Sequence, residues 1–414
     1  MGHARLVKAD PKADYPSFLA DVGEVEKSTV SRHPVVISMR QPKSRELLEQ
    51  LVRAQTIHGI VDNYAEQYAE LLLSRNAHLY RANYDVQVAS IASLLKEHYG
   101  TKQPWQMGSW VYYPWSKQLV HILDQDLFED LRSIRNRDLI TDDEQRKLAV
   151  FEVACFGMSV GSAGALALAI TGISRRIKLI DGAVISGSNL NRILTGVTSV
   201  GQAKSAVIGQ NIYEMNPYAT VVYHDTVNAK NIADILENPW PVHAVVDEID
   251  DIEMKVRLRV EARQRRIPVL MATEIGDTII LDVERYDLEP TRALFHGIVP
   301  NIDKLIEEEL ENHREWMKHA VNIIGPKNMH IKMQESLLKI GTTIVTHPQL
   351  GSTVMMTGGV LAFAVKSLAL GSPLKSGRYV ISLEKQLLTD HRTLGYKRRH
   401  RKHTKVIRRA IGSM

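Results

Sequence analysis

The spacing of apolar positions changes about one third of the way along the chain. Over residues 43–75 they recur every three or four residues, which predicts a helix, and a second helical stretch covers residues 86–98. Residues 109–123 predict short strands joined by a turn. We therefore expect residues 36–130 to form a mostly helical N-terminal module, preceded by a loosely ordered segment, residues 1–35.

The rest of the chain alternates apolar strands with helices. Strands are predicted over residues 149–156, 177–181, 220–224, 243–250, 268–273 and 277–286, and helices over 162–172, 201–217, 230–238 and 253–266. This alternation predicts an α/β fold with a doubly wound, Rossmann-like, mainly parallel sheet. Charged helices over 302–320, an apolar helix over 349–371 and a closing strand over 377–388 follow.

Composition is typical of a soluble globular protein of two or three domains, with 414 residues, 44% of them hydrophobic and 24% charged. The single cysteine, Cys155, excludes an intramolecular disulfide and a four-cysteine zinc site within one chain. We expect a cytoplasmic protein that does not contact a membrane, because neither a secretion signal nor an apolar run of about 20 residues is evident.

Positive charge is concentrated near the C-terminus. Residues 397–409 hold eight Lys and Arg and no acid, and without those eight the net charge of +5 becomes −3. We expect residues 391–414 to form a basic, solvated and partly disordered tail. Such a tail is able to contact acidic partners or nucleic acid.

The stretch FGMSVGSAG, residues 156–164, has two interpretations. It fits the G-x-S-x-G turn that presents a serine nucleophile, here Ser159, in α/β-hydrolases, and downstream histidines including His347 leave that possibility open. It also fits a phosphate-binding turn that precedes a helix. The second interpretation needs an acid roughly 20 residues later to bind ribose, and Asp181 follows Gly157 by 24 residues. We favour the nucleotide turn, in which Ser159 and Ser162 replace glycines; an NAD(P)-dependent oxidoreductase is a further alternative.

Four short motifs follow the turn: SNLNR (188–192), GQAK (201–204), NP (216–217) and VVDEIDD (245–251). Their order and spacing resemble the ThiF/MoeB/ubiquitin-activating-enzyme superfamily, whose pattern is a glycine loop, DxD, SNLxRQ, GxxK, NP and D..DN. The resemblance covers about residues 130–390, so we expect a ThiF-like adenylation domain over 131–390. It implies the fold predicted above.

The resemblance also implies an activity, since the family adenylates a carboxylate with ATP and magnesium and releases pyrophosphate. It implies that Arg192 and Lys204 neutralise the phosphates and that Asp250 holds magnesium. Ribose would be bound by Asp181, and phosphate or metal by Asn189. The nucleotide cradle would comprise Gly157, Ser159, Gly161 and Ser162.

A further similarity concerns the segment RNR, residues 135–137. It resembles a family segment in which an arginine reaches the nucleotide site of the partner subunit, and Arg137 is the candidate for that role. With the apolar helix over 349–371, which would otherwise expose much surface, this implies a homodimer.

Three departures from the family pattern bear on the reaction. Ala183 stands at the second acid of DxD, Ile193 follows the arginine in place of Gln, and Ser159 and Ser162 replace two glycines of the turn. Separately, the single cysteine, Cys155, lies within an apolar strand, which excludes a thioester cysteine. We therefore expect a small-molecule or peptide carboxylate to be activated and attacked by a non-thiol nucleophile, giving amide formation, cyclisation or dehydration. The main alternative is a non-catalytic, nucleotide-binding scaffold.

Overall fold

Residues 31–306 and 313–412 are described by the structure, a computed structural model; most of the predicted loose segment, residues 1–30, lies outside them. The described end of that segment is packed on the α/β domain. Arg32 pairs with Asp225 at 2.8 Å, and the Nδ1 atom of His33 lies 2.8 Å from the Tyr213 hydroxyl. Residues 31–34 are therefore held in place.

The N-terminal module is built around a four-stranded sheet. Its elements are β1 (Val35–Ser38), α1 (Ser44–Ala54), β2 (Gly59–Asp62), α2 (Tyr64–Arg75), α3 (Tyr84–Tyr99), β3 (Ser109–Tyr113), β4 (Gln118–Ile122) and α4 (Gln125–Ser133). The strand order is β1-β3-β4-β2, with β2 parallel to β4 and the other pairs antiparallel.

The helices α1 to α3 and the two strands over residues 109–123 agree with the prediction. The continuous helix over residues 43–75 is wrong, because β2 interrupts it. The physical reason is local: Gly59 disfavours a helix, and the β-branched Ile60 and Val61 that follow suit a strand. Asp62 then anchors this strand through a 2.9 Å contact with Nδ1 of the buried His121 on β4.

The α/β domain carries the remaining elements. They are α5 (Asp142–Ala149), β5 (Val153–Phe156), α6 (Gly161–Thr171), β6 (Arg176–Ile180), α7 (Lys204–Met215), β7 (Thr220–His224), α8 (Ile232–Glu237), β8 (Ala244–Asp247), α9 (Ile252–Gln264), β9 (Val269–Glu274), β10 (Thr278–Glu284), α10 (His313–Ile324), α11 (Ile331–Leu337), α12 (Gly351–Ala369), β11 (Gly377–Ser382), α13 (Leu383–Leu387) and α14 (Leu394–Gly412).

The seven strands of this domain form one sheet in the order β11-β10-β9-β8-β5-β6-β7. The five from β9 to β7 are parallel, and β10 and β11 extend the sheet in antiparallel fashion. The predicted Rossmann-like fold is confirmed. After β7 the chain crosses to the other side of β5 to form β8, so the strand order reverses between β5 and β8. Ligands of such sheets bind at this switch point, beyond the carboxyl ends of the strands.

Helix α12 packs against α6 at unusually short range, because both helices carry small residues at their crossing. A Cβ atom at Gly358 would lie 2.5 Å from the carbonyl oxygen of Ala163, so only glycine fits there. Within the described residues α12 is also long and apolar enough to cross a membrane, but half of its apolar window is buried inside the protein. A helix that packs against the sheet of a folded domain can be equally long and apolar.

The C-terminal part differs from prediction in two respects. Strand β11 ends at Ser382, where the Ser382 hydroxyl caps α13 by accepting from the backbone of Lys385. The predicted disordered tail is the helix α14, of which Ile407 is only 2% exposed. The Thr404 hydroxyl accepts a 3.0 Å hydrogen bond from Gln334. The buried residues of α14 recur at helical spacing. The eight Lys and Arg on its exposed faces hid this apolar pattern in the sequence.

Candidate functional site

The turn between β5 and α6 lies against the end of β8. Gly157 has a φ of 84°, and a Cβ atom there would stand 2.2 Å from the carbonyl oxygen of Glu248. Only glycine is compatible with both conditions. Because Val160, the N-cap residue of α6, contributes no side-chain hydrogen bond, the positive end of this helix lacks a side-chain acceptor. This arrangement suits the binding of phosphate.

Gly161 and Ser162 begin α6 and complete the turn. A Cβ atom on Gly161 would lie 3.3 Å from the Glu248 side chain, so the helix start is closely packed against β8. The hydroxyl of Ser162 is buried and donates to the Ser159 carbonyl oxygen at 2.7 Å. Ser162 therefore braces the turn from within and leaves its outer surface to a ligand.

Asp181 follows β6 and also holds the turn. One of its carboxylate oxygens accepts from the Met158 amide at 2.6 Å, and the other accepts from the Ala183 amide at 2.7 Å. The backbone amide of Lys204, the first residue of α7, donates to the carbonyl oxygen of Ala183 at 3.0 Å. Asp181, Ala183 and Lys204 are therefore adjacent at one edge of the sheet.

The segment SNLNR directs Arg192 toward the turn. The buried Asn189 accepts a hydrogen bond from the Ser186 amide at 3.0 Å and so closes a short 3-10 helix. Arg192 then donates from Nε to the Ser159 hydroxyl at 3.1 Å and from Nη1 to the Ser188 carbonyl oxygen at 3.0 Å. Burial lowers the pKa of Arg192, opposed by the nearby carboxylates of Asp250 and Glu274.

The start of α12 supports the same segment. A Cβ atom at Gly351 would lie 2.2 Å from the carbonyl oxygen of Asn191, so helix and segment touch backbone to backbone. The side-chain amide of Asn191 also donates to the Gln349 carbonyl oxygen at 2.9 Å. The residue next to Arg192 is therefore fixed by the long apolar helix.

Two acids approach Arg192 from neighbouring strands. Asp250 is exposed and follows β8, and the adjacent Asp251, not Asp250, caps α9 by accepting from the Met254 amide. Glu274 is the last residue of β9. Both of its carboxylate oxygens are buried, and neither accepts a hydrogen bond from the described residues. Burial raises the pKa of Glu274 to about 7, whereas the neighbouring Thr357, Gln349 and Arg192 act to lower it.

His347 joins this group from the loop before α12. His347 is exposed and lies near enough to Asp250 and Arg192 for their charges to act on its pKa in opposite directions, Asp250 raising it and Arg192 lowering it. Sequence reasoning did not place Glu274 or His347 in a nucleotide site. Glu274 carried a usable signal, because it ends an otherwise apolar parallel strand, as Asp181 and Asp250 follow theirs. His347 carried none, because its position depends on how the chain returns toward α12.

Arg137 is engaged elsewhere in its own chain. Its Nη2 atom donates to Asp130 at 2.7 Å, and its Nε atom lies 3.8 Å from Asp142. Neither of these acids belongs to the group around Arg192. The predicted role of Arg137 therefore depends on a second subunit.

The residues present fit a nucleotide and its magnesium ion. The turn packs closely against Glu248 and precedes the N-terminus of α6, and Arg192 supplies a cation beside it. The exposed carboxylate of Asp250 offers oxygen ligands of the kind that a hard divalent cation prefers. The Ser159 hydroxyl accepts from Arg192 and donates to no histidine among the described residues, so the hydrolase interpretation lacks its general base in this geometry.

Comparison with known proteins identifies a family and several relatives. Residues 132–392 match the model of the ThiF family. The uncharacterized protein MT1398 of Mycobacterium tuberculosis is 35% identical over 279 residues, which are 67% of this chain and 38% of that protein. The tRNA threonylcarbamoyladenosine dehydratase of Escherichia coli is 29% identical over 197 residues, which are 47% of this chain and 67% of that enzyme.

A solved structure of the same dehydratase in complex with ATP aligns with a TM-score of 0.41 and 21% identity, covering 58% of this chain and 95% of that one. This chain spans little more than a third of the length of MT1398. The family model, in contrast, covers well over half of this chain, including the turn, Arg192 and Asp250. The chain therefore belongs to the ThiF family.

Proposed function

We propose that this protein is an ATP-dependent adenylyltransferase that activates a carboxylate as an acyl-adenylate and releases pyrophosphate. One observation carries the proposal: the Arg192 side chain bonds Ser159 of the glycine turn and lies beside Asp250 and Glu274 at the switch point of the sheet. A cation beside a phosphate turn is the arrangement that phosphoryl and nucleotidyl transfer require.

The chemistry follows from charge. An oxygen of the substrate carboxylate attacks the α-phosphorus of ATP, the bond from that phosphorus to the bridging oxygen breaks, and pyrophosphate leaves with the electron pair. Two anions must approach each other, so Arg192 and Lys204 would neutralise the phosphates and Asp250 would hold magnesium, which screens the same charge. Asp181 would orient the ribose while its backbone contacts keep the turn in place.

The second step would use a nucleophile other than a thiol. Cys155 is fully buried in β5, and burial raises the pKa of its thiol well above its ordinary value. The acyl-adenylate of a small molecule or peptide would therefore be attacked by an amine, an amide nitrogen or a hydroxyl. Amide formation, cyclisation and dehydration all fit that description.

Pyrophosphate exchange tests the proposal on the full chain. Labelled pyrophosphate, ATP and magnesium are incubated with a panel of amino acids, small acids and peptides, and we expect label to enter ATP with at least one carboxylate. Asp250→Asn should abolish exchange, whereas Asp251→Asn, which removes a charge but keeps the helix cap, should retain it. Exchange that is equal in both variants would remove Asp250 from the reaction.

The competing function is a nucleotide-binding scaffold, supported by Ala183. The family acid at that position is missing, and the Ala183 amide is used to hold Asp181. A scaffold would bind ATP, as measured by calorimetry, but would exchange no label with any carboxylate. The two functions are therefore separated by one pair of measurements on the same preparation.

We also propose a homodimer in the cytoplasm, in which Arg137 serves the partner's site. Its support is the exposed face of α12, where Met355 is 55% and Phe363 is 60% exposed. Light scattering should give about twice the chain mass, and Phe363→Asp should lower it to that of one chain. Arg137→Ala should then slow exchange without dissociating the dimer.

The basic helix α14 suggests a polyanionic partner. Its eight Lys and Arg residues are all exposed, and they lie away from the buried side that carries Ile407. Binding to a nucleic acid or an acidic protein would then weaken steeply with salt. A gel-shift measurement at two salt concentrations checks this, with Lys402 and Lys405 changed to Glu as the comparison.

A further inference from the structure

A second cluster of chemically active side chains lies beside α14, apart from the residues of the nucleotide site. His330 is the N-cap residue of α11, Glu384 lies in α13, and His391 lies in a short turn that follows α13. The Nε2 atom of His330 is 3.6 Å from one Glu384 oxygen, and that of His391 is 3.7 Å from the other. One ligand atom from each of the three residues lies within 4.8 Å of the others.

These spacings are too long for hydrogen bonds, which in this geometry require about 2.7–3.2 Å. They are close to the separation of ligands around a metal ion. Two ligand atoms each about 2.0–2.1 Å from a tetrahedral zinc ion stand about 3.3 Å apart. The two contacts to Glu384 would shorten by a few tenths of an ångström, and the widest separation, up to 4.8 Å, by up to about 1.5 Å, to place the three ligand atoms around one ion.

We propose that His330, Glu384 and His391 bind a zinc-type divalent metal ion. Two imidazoles with one carboxylate suit zinc or a neighbouring transition metal, whereas magnesium and calcium prefer oxygen ligands alone. Each His would bind as the neutral imidazole and Glu384 as the carboxylate, so the site would compensate one of the two charges of the ion.

The burial of His391 is independent support. Its side chain is only 6% exposed, its Nδ1 atom is buried without a hydrogen-bond partner, and its Nε2 atom lies 3.7 Å from the nearest carboxylate oxygens. The Nε2 atom, which faces Glu384, makes no hydrogen bond to the described residues, and an ion bound there would give this nitrogen of the buried ring a partner.

His330 requires one adjustment. Its Nδ1 atom accepts a 3.2 Å hydrogen bond from the Lys332 amide, so a neutral ring carries its proton on Nε2. Metal binding at Nε2 moves that proton to Nδ1 and ends the helix-cap bond. Because this bond lies at the exposed surface, water can accept from the Lys332 amide instead.

Space for a fourth ligand is present. A cavity of about 220 Å³ opens beside the three residues and is also lined by Lys397 and Arg401 of α14. A water molecule can complete a tetrahedron from this side. The ion would join the end of β11 and α13 to the start of α11, and the Tyr396 ring of α14 packs on the His391 ring at 4.3 Å between centroids.

Metal content and thermal unfolding test the site on the full chain. The protein is treated with EDTA, desalted, titrated with zinc chloride and passed through a desalting column before mass spectrometry. We expect one zinc per chain and a midpoint of unfolding raised by about 5 °C when zinc is a hundredfold above its Kd. Cobalt(II) should give the intense visible absorption of a four-coordinate ion.

Three variants and one control complete the test. His330→Ala, His391→Ala and Glu384→Gln should each weaken zinc binding at least about tenfold. His403→Ala removes a histidine of α14 that faces Glu335 and should bind zinc as the wild type does. If either alanine variant fails to fold, as judged by circular dichroism, Glu384→Gln decides alone, since it keeps the size of the side chain. Substoichiometric zinc in the wild type, or full binding in the folded variants, would overturn the proposal.

Discussion

The guanidinium of Arg192 donates a 3.1 Å hydrogen bond from Nε to the hydroxyl of Ser159, 33 residues earlier in the chain. Ser159 stands where the family pattern has glycine, so the substitution gives the arginine a partner on the turn. The pair links the two parts of the proposed site, the phosphate turn and the cation, before any nucleotide binds.

We predict that Arg192→Ala lowers kcat for pyrophosphate exchange by about 100- to 1000-fold, because the cation stabilises charge that develops on the leaving group. Ser159→Ala should lower it only about tenfold, through the loss of one hydrogen bond to a charged group. Steady-state exchange rates measure both. Arg146→Ala, on the exposed face of α5, is the matched control. Equal and complete inactivation by Ser159→Ala would contradict the minor role given to its hydroxyl.

The carboxyl group of Glu274 should make stability depend on pH. Its pKa is raised from 4.5 to about 7 by burial, so the folded state binds more protons than the unfolded state between these values. Its contribution is therefore fully present below about pH 4.5 and declines as pH rises through 7, by up to about 3 kcal/mol. Urea unfolding at pH 5 and pH 8 should show this decline in the wild type.

Glu274→Gln should remove most of that dependence, since an amide does not titrate in this range. Glu237→Gln, which changes an exposed carboxylate at the end of α8, should leave the wild-type dependence unchanged. A Glu274→Gln profile parallel to the wild type from pH 5 to pH 8 would contradict the assignment.

Gly157→Ala should abolish ATP binding. The added methyl group would meet the Glu248 carbonyl oxygen at 2.2 Å, and a φ of 84° disfavours alanine in any case. Gly196→Ala adds the same group where the nearest atom is 3.7 Å away and should bind ATP normally. Calorimetry with ATP and magnesium compares the two, and retained affinity in Gly157→Ala would show that the turn can move away from β8.

The helix α14 should contribute to stability, contrary to the expectation of a disordered tail. Ile407→Ala removes a side chain that is 2% exposed and should lower the free energy of unfolding by about 3 kcal/mol. Val406→Ala, at a neighbouring position that is 43% exposed, should change it by less than about 1 kcal/mol. Denaturant unfolding of both variants measures the difference, and equal values would mean that α14 is detached in solution.

The sequence was most informative about the short strands of the parallel sheet. Residues 220–224 were predicted as a strand and form β7 with those bounds, because a short apolar run between turns has few other uses in an α/β fold. The motif residues around the turn were found for a related reason. Each lies directly after a strand or at the start of a helix, and these positions meet at one edge of a parallel sheet.

Other features depend on contacts that no local pattern encodes. The strand β2 was hidden within a helical rhythm, since its pairing with β4 is formed by residues about 60 positions later. Burial in the tertiary fold raises the pKa of Glu274, and the residues that oppose this shift, Thr357 and Gln349, are distant in sequence. The metal cluster likewise joins His330 to residues more than 50 positions away, which only the tertiary fold brings together.

The contact between Gly351 and the Asn191 carbonyl oxygen has a consequence for regulation. Helix α12 presents one face to solvent and begins against the residue preceding Arg192, so any force that shifts the helix along its axis also displaces the guanidinium. If two chains associate through that exposed face, dimer formation and ATP binding would be thermodynamically linked. Bound ATP would then strengthen the dimer, and dilution to single chains would weaken ATP binding.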